Sequence, residues 1–144
     1  MTELEALAYV TATAAHQGQT DKAGRPYIEH LERVARRVEM AGGTEYEVAA
    51  AYLHDIVEDT AISLAELAAL GFPYFEVVEL VGILTRAKGE VYATYIERIR
   101  FDERAIRIKK ADLLDHLREG GECPETLVPR YKKALAELEK GVWA

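Results

Sequence analysis

The chain has 144 residues, a formal net charge of −7 at pH 7 and a single cysteine. This length suits one domain with a hydrophobic core, and the acidic balance argues against a general nucleic-acid binder, which needs a basic face. No apolar run approaches the ~20 residues of a membrane span, and one cysteine excludes disulfides and thiolate metal sites within one chain. We therefore expect a cytoplasmic protein with neither a nucleic-acid nor a membrane partner, although a metal and a few local cations could hold a small phosphorylated substrate.

Helical patterns cover almost the whole chain, and no segment alternates as a strand would. Two capping boxes, Thr44 with Glu47 and Ser63 with Glu66, mark helix starts. The predicted helices span about 3–16, 27–41, 45–58, 64–70, 74–86, 91–100, 103–118 and 125–139. The sequence thus predicts an all-α fold, a compact bundle of seven or eight helices that forms one domain over residues 1–144.

An acidic run follows His54 in the middle of the chain. If the run is helical, His54 stacks over Glu58, and Asp55 over Asp59, because residues four apart share a face. Asp55 and Asp59 are then like charges at a destabilising spacing. A divalent cation would remove this conflict, since imidazole and carboxylate together suit Mn, Fe and Zn. The alternative is a solvated acidic helix end, and the run alone leaves both open.

Further potential metal ligands lie far from this run in the sequence. His30 follows Pro26, and Asp112 lies in a strongly apolar predicted helix. A buried carboxylate must be paired, protonated or metal-bound. Each residue alone has an ordinary structural explanation, but their occurrence together in predicted helices indicates a metal site.

The order His, His-Asp, Asp resembles that of the HD-domain metal-dependent phosphohydrolases. Within that group the chain is similar to the hydrolase domain of RelA/SpoT proteins, and its size resembles the small stand-alone members without a synthetase domain. The central motif, Leu53 to Thr60, is the most specific match. The other matching segments are residues 16–19 with 22–30, 84–86 and 109–113, and the resemblance covers roughly residues 5–140.

The resemblance implies a function and a set of site residues. The implied ligands of one metal ion, usually Mn²⁺, are His30, His54, Asp55 and Asp112. Glu58 and Asp59 are implied to flank the attacking water. The family's substrates are guanosine tetra- and pentaphosphate, cleaved at the 3′-pyrophosphate to give GDP or GTP plus pyrophosphate.

Five further residues are candidates for substrate contacts. Lys22, Lys109 and Arg86 could bind phosphates or be ordinary surface cations, and Tyr131 could border the pocket or pack in the core. His116 stands where the family commonly has Asn, at a position implicated in holding the nucleotide. Asp21 stands where the family often has an Arg that packs against guanine, and a carboxylate cannot make that cation–π contact. Both differences leave metal binding intact and bear on base recognition.

Two other functions therefore stay open beside the pyrophosphohydrolase. One is an HD-type phosphatase for another nucleotide, such as a nucleoside monophosphate or NADPH. The other is a catalytically silent nucleotide-binding module, against which the intact Glu58 and Asp59 argue. The sequence does not predict the oligomeric state.

Overall fold

The computed structural model describes residues 1–121 and 123–143, and within them it confirms the all-α prediction. The helices are α1 (Glu3–Ala15), α2 (Ile28–Met40), α3 (Glu45–Leu53), α4 (Ile56–Asp59), α5 (Leu64–Ala69), a π-helical turn (Tyr74–Val78) that leads into α6 (Glu79–Leu84), α7 (Tyr92–Ile99), α8 (Glu103–Leu117) and α9 (Val128–Glu139). Among the described residues, eight α-helices have six residues or more, and α4 is a single turn. None of these helices combines the length and apolar character that crossing a membrane would require.

The predicted helix over residues 45–58 is wrong as one continuous element. It ends at Leu53 and resumes at Ile56, so that His54 and Asp55 lie in the break. The His54 ring nitrogen Nδ1 lies 2.6 Å from the Ala51 carbonyl oxygen, which is the acceptor that the Asp55 N–H would use in an uninterrupted helix. This local competition for a backbone acceptor explains why the chain turns at this point.

The other predicted boundaries hold to within a few residues, apart from the last helix, which begins at Val128 rather than near 125. Both predicted capping boxes are present: the Thr44 hydroxyl accepts from the Glu47 N–H, and Ser63 accepts from the Glu66 N–H. Each cap satisfies backbone donors that the first helical turn leaves unpaired.

The core is organised around α3, which packs against α1, α2, α6 and α8. Its residues 47–53 are all buried, and its three consecutive alanines have no exposed surface. Such small side chains let the neighbouring helices approach closely. On α2, a buried stripe at helical spacing begins with His30 and Leu31 and continues through Val34 to Val38. Since α2 also packs against α8, the fold brings one end of this stripe beside the break after α3.

Candidate metal centre

Four side chains from three places in the fold converge at the predicted metal site. His30 comes from α2, His54 and Asp55 from the break between α3 and α4, and Asp112 from α8. One potential ligand atom from each lies within 4.8 Å of all the others. His30, His54 and Asp112 are buried, and the Asp55 side chain is 15% exposed. The structure therefore brings together residues that are separated by up to 82 positions in the chain.

The distances between these atoms suit a single ion. Asp112 Oδ1 lies 3.0 Å from His30 Nε2 and 3.3 Å from His54 Nε2. Asp55 Oδ2 lies 3.2 Å from His54 Nε2 and 4.0 Å from His30 Nε2. Neighbouring donors bound at about 2.0–2.2 Å from one metal are separated by about 3 Å. Two imidazoles and two carboxylates at these separations fit a divalent transition metal.

The remaining nitrogen of each imidazole has its own partner. Nδ1 of His30 lies 2.7 Å from Asp115 Oδ2, and Nδ1 of His54 lies 2.6 Å from the carbonyl oxygen of Ala51. Since a carbonyl and a carboxylate only accept, both Nδ1 atoms carry the proton when the ring is neutral. Each Nε2 then presents its lone pair toward the centre, as a histidine ligand requires.

The two carboxylates are also held in place. Lys109 Nζ lies 2.9 Å from Asp112 Oδ2, which leaves Oδ1 directed at the imidazoles. The Tyr27 hydroxyl donates to Asp55 Oδ2. Lys109, predicted from the sequence as a possible phosphate contact, is therefore also bonded to the carboxylate at the centre.

Asp115, which was not predicted as a site residue, also lies at the centre. Its side chain has no exposed surface, and besides His30 it accepts from Arg33, whose Nε lies 2.7 Å from Asp115 Oδ1. Arg118 adds a third contact, at 3.2 Å. The available signal was its position three residues after Asp112, which places both carboxylates on one face of α8.

The pKa values express the negative character of this cluster. Burial lowers the pKa of His30, but the hydrogen bonds to Asp112 and Asp115 raise it by more than burial lowers it, so that the pKa is about 9. Burial also opposes the charged form of His54, yet the charges of Asp55 and Asp112 raise its pKa well above the usual value. For Asp112, burial raises the pKa, while Lys109 and His54 depress it well below the usual range. The carboxylates thus keep their charge and attract positive charge to the centre.

The centre opens into a cavity of about 210 Å³, here called the metal cavity. Four of the predicted substrate contacts line it: Arg86, Lys109, His116 and Tyr131. Arg130 lines it as well and places its guanidinium carbon 3.8 Å from the centre of the Tyr92 ring. Arg130 was not predicted as a site residue, although it directly precedes Tyr131.

An adjoining cavity of about 340 Å³ shares Tyr27, His116 and Tyr131 with the metal cavity. Lys22 lies here rather than in the metal cavity, together with Asp21. The Asp21 carboxylate accepts from the backbone N–H groups of residues 23 and 25, both at 2.9 Å. Asp21 therefore shapes the loop before α2 as well as placing a negative charge beside the cavity.

Glu58 and Asp59 occupy different positions although they are neighbours on α4. Glu58 lines the metal cavity, and its Oε1 accepts from the Arg86 N–H at 2.5 Å. Asp59 is not among the residues that line that cavity. Burial is the main cause that raises the pKa of each carboxyl, and the Asp55 charge raises both further.

Two side chains of the matching segment 16–19 contact the end of α4 or each other. The Gln19 amide donates to the Asp59 carbonyl oxygen at 3.0 Å, and its Oε1 lies 2.8 Å from Nδ1 of the buried His16. The His16 and Gln19 side chains thereby connect the loop after α1 to the end of α4, which carries both acidic residues.

Comparison with known proteins agrees with this geometry. The family model described as HD domain matches residues 8–144. The chain is 33% identical over 95% of its length to a probable guanosine-3′,5′-bis(diphosphate) 3′-pyrophosphohydrolase of Synechocystis sp., and 37% identical over 90% of its length to the bifunctional (p)ppGpp synthase/hydrolase SpoT of Escherichia coli K12. It spans 19% of the length of each of these relatives.

Similarity extends to a solved structure. A metazoan orthologue of SpoT that hydrolyses ppGpp superimposes with a TM-score of 0.78 at 26% identity, and the match covers 96% of this chain and 86% of that one. The likeness to HD-domain proteins inferred from the sequence is confirmed by the family match. The chain belongs to the HD-domain family.

Proposed function

We propose that the chain is a metal-dependent pyrophosphohydrolase that removes the 3′-pyrophosphate of guanosine tetra- or pentaphosphate, or of a related nucleotide. The observation that carries this proposal is the convergence of His30, His54, Asp55 and Asp112 at the base of a cavity lined by three cationic side chains. The similarity to pyrophosphohydrolases supports it. On this proposal, residues 1–144 form one HD-type phosphohydrolase domain, for which we infer a cytoplasmic location.

The four converging residues are proposed to hold one divalent ion, with Mn²⁺ as the first choice. Such an ion lowers the pKa of a bound water and offsets negative charge in the phosphoryl transition state. The protein's own contribution is the orientation of its donors. Asp115 and the Ala51 carbonyl direct the imidazoles, while Lys109 and Tyr27 hold the carboxylates.

Glu58 is the proposed proton acceptor for the attacking water. It lines the metal cavity, and burial together with the nearby Asp55 raises its pKa toward the range in which a carboxylate serves as a base near neutral pH. Asp59 is proposed to assist from outside the cavity lining, since its charge lies near that of Asp55. The cavity lining thus supports unequal roles for two residues that the sequence pattern treats alike.

The substrate is proposed to extend over both cavities. A volume of about 210 Å³ in the metal cavity is smaller than the ~300–1,000 Å³ typical of small-molecule sites. The pyrophosphate would therefore lie beside Arg86, Lys109 and Arg130, while the nucleoside occupies the adjoining cavity. Tyr131 and His116 border both spaces and would contact the sugar that joins the two parts. Lys22 would contact the nucleoside side.

A second candidate is a phosphatase for another nucleotide, because the adjoining cavity carries Asp21 and His116 instead of the arginine and amide expected of a guanine site. The metal centre would be unchanged. A silent binding module is less consistent with a cavity that Glu58 lines together with the proposed ligands Asp55 and Asp112, since binding alone does not need a base.

A substrate panel tests the proposal. Purified protein supplied with Mn²⁺ should release pyrophosphate from guanosine tetraphosphate, and protein isolated without chelator should contain about one transition metal per chain. The His54→Ala and Asp112→Ala variants should lose both properties. Turnover of NADPH or deoxynucleoside monophosphates alone would favour the second candidate. Full metal content in both variants would contradict the ligand assignment.

The Asp115→Asn variant should bind the metal about 10–100-fold more weakly, the usual effect of removing a partner that orients a histidine ligand. The amide keeps the size of the side chain but loses the charge that faces His30 and Arg33. Calorimetric metal titration measures the change. Asp102→Asn is the control. It makes the same change from carboxylate to amide at the residue that caps the start of α8, outside the group of proposed metal ligands. Wild-type affinity in Asp115→Asn would show that His30 is oriented without this carboxylate.

Glu58→Gln should lower kcat by about 10²-fold or more, the range typical for loss of general acid–base assistance, and should leave the metal content unchanged. Glutamine retains a carbonyl oxygen for the Arg86 N–H, so the cavity wall should persist. Asp59→Asn should have the smaller effect. Steady-state kinetics with metal analysis compare the two variants, and a larger loss in Asp59→Asn would reverse the proposed roles.

Substitutions at Asp21 separate charge from base recognition. Asp21→Asn keeps a side-chain acceptor for the two loop N–H groups and removes a charge worth up to ~1 kcal/mol of repulsion against an anionic ligand. It should improve kcat/KM equally for guanosine tetraphosphate and its adenosine analogue. Asp21→Arg adds a guanidinium that can stack on a base and should favour the guanosine compound further. Equal gains for both bases in Asp21→Arg would mean that this position senses only charge.

A further inference from the structure

One hydroxyl in the metal cavity is buried without a hydrogen-bond partner. Tyr92 is the first residue of α7 and lines this cavity. Among the residues that the structure describes, none forms a hydrogen bond with its buried hydroxyl oxygen. A hydroxyl that loses its contacts with water and gains no partner is costly, and native proteins leave few such groups unpaired. The protein therefore presents at this cavity a donor whose partner a bound molecule can supply.

Tyr95 provides a direct comparison, because it lies three residues later on the same face of α7. It also lines the metal cavity, and its ring centre lies 5.9 Å from that of Tyr92. The Tyr95 hydroxyl, however, donates to the Leu84 carbonyl oxygen at 2.5 Å. One tyrosine hydroxyl is thus used within the fold, while its neighbour is left for another acceptor.

Two guanidinium groups fix the ring of Tyr92. The guanidinium carbon of Arg130 lies 3.8 Å from the ring centre and that of Arg86 lies 5.5 Å from it, and both arginines line the metal cavity. Arg86 is itself anchored, since its Nε donates to the Glu90 carbonyl oxygen at 2.8 Å. A phosphate group that these cations hold in the metal cavity would therefore lie beside the Tyr92 ring.

The Tyr92 hydroxyl also carries the proton that a donor needs. Burial is the main cause that raises the pKa of Tyr92, so the hydroxyl stays protonated near neutral pH. The charges of Lys109 and Asp112 act on the same pKa in opposite directions, which places the hydroxyl within electrostatic reach of the metal centre. The ionised oxygens of a phosphate accept hydrogen bonds, so they match a neutral donor at this position.

We propose that the Tyr92 hydroxyl is a further substrate contact, which donates a hydrogen bond to a phosphate oxygen of the nucleotide in the metal cavity. The inference rests on the proposed function, because it requires a phosphorylated ligand beside the metal centre. It adds an uncharged donor to the three cations of that cavity, Arg86, Lys109 and Arg130. A hydrogen bond weakens steeply away from its preferred angle, so a hydroxyl on a stacked ring favours one orientation of the phosphate.

The Tyr92→Phe variant tests the contact, because it removes the hydroxyl and keeps the ring on which the guanidinium groups stack. With guanosine tetraphosphate and Mn²⁺, kcat/KM should fall by about 10–100-fold, the range expected for a hydrogen bond to a charged group. Calorimetric titration of inorganic pyrophosphate into the Mn²⁺-loaded protein should show affinity weakened by about tenfold or more. The melting temperature should not fall, because phenylalanine leaves no buried hydroxyl unpaired.

Two further exchanges of tyrosine for phenylalanine are matched controls. Tyr95→Phe should lower the melting temperature, since it removes a buried hydrogen bond to the Leu84 carbonyl oxygen. Tyr52→Phe changes a buried tyrosine that lines neither cavity, and it should leave kcat/KM unchanged. A fall in the melting temperature of Tyr92→Phe with kcat/KM unchanged would show that the hydroxyl has its partner within the protein, which would refute the inference.

The outcomes separate this inference from the proposed function. If the wild type releases pyrophosphate, an unchanged kcat/KM or an unchanged pyrophosphate affinity in Tyr92→Phe would overturn only the role of Tyr92. Wild type that binds pyrophosphate but does not release it from guanosine tetraphosphate would overturn the proposed function, and the pyrophosphate affinity of Tyr92→Phe would then decide the inference. Wild type that does neither would overturn both. Should Tyr92→Phe not fold, a crystal structure of the wild type with pyrophosphate decides, since a hydroxyl farther than about 3.5 Å from every phosphate oxygen refutes the contact.

Discussion

The buried carboxylate of Asp112 sets the condition on which the rest of the centre depends. Its side chain is 5% exposed, and an uncompensated charge at such a position is strongly destabilising. Lys109 satisfies one oxygen, and the imidazoles of His30 and His54 face the other. Because these imidazoles come from α2 and from the break after α3, three parts of the chain meet around this one carboxylate. The packing of these helices therefore also brings the site residues together.

Asp115, about one turn after Asp112 on α8, is a second buried carboxylate that joins two helices. Its carboxylate joins His30 and Arg33 of α2 to α8. Because the Arg33 side chain is 35% exposed, breaking its ion pair costs less than the ~3–5 kcal/mol typical of a fully buried pair. The contact that directs a proposed metal ligand is therefore also one that holds two helices together. A change at this position acts on orientation and on stability together, whereas Glu58, at the cavity edge, can change chemistry with little effect on packing.

The helices could be predicted from the sequence because the interactions that start and shape each helix lie within a few residues of one another. Capping boxes and helical periodicity located the helices, and the resemblance to HD-domain phosphohydrolases, which the order of histidines and aspartates carries, implied the group that converges. The break at His54 was missed because a side chain competes for one backbone carbonyl, an event that periodicity does not record. Asp115 and Arg130 were missed because their importance arises only when α2, α8 and α9 meet. Lys109 pairs with Asp112, three residues away on the same helix. The sequence alone could not predict whether Lys109 binds this carboxylate or a phosphate, because that depends on which face of α8 is buried.

The net negative charge of the whole chain and the charged side chains that line the metal cavity act over different distances. A net charge of −7 is largely screened beyond about 8 Å at physiological ionic strength, so most surface carboxylates contribute little at the metal cavity. Arg86, Lys109 and Arg130 line that cavity directly, together with the carboxylates of Asp55, Glu58 and Asp112. The adjoining cavity is likewise mixed, since Asp21 and Asp115 line it beside Lys22, Arg33 and Arg118. On the proposed function, a divalent ion at Asp55 and Asp112 would offset the charge of those two carboxylates and leave the three cations of the metal cavity to face the phosphates.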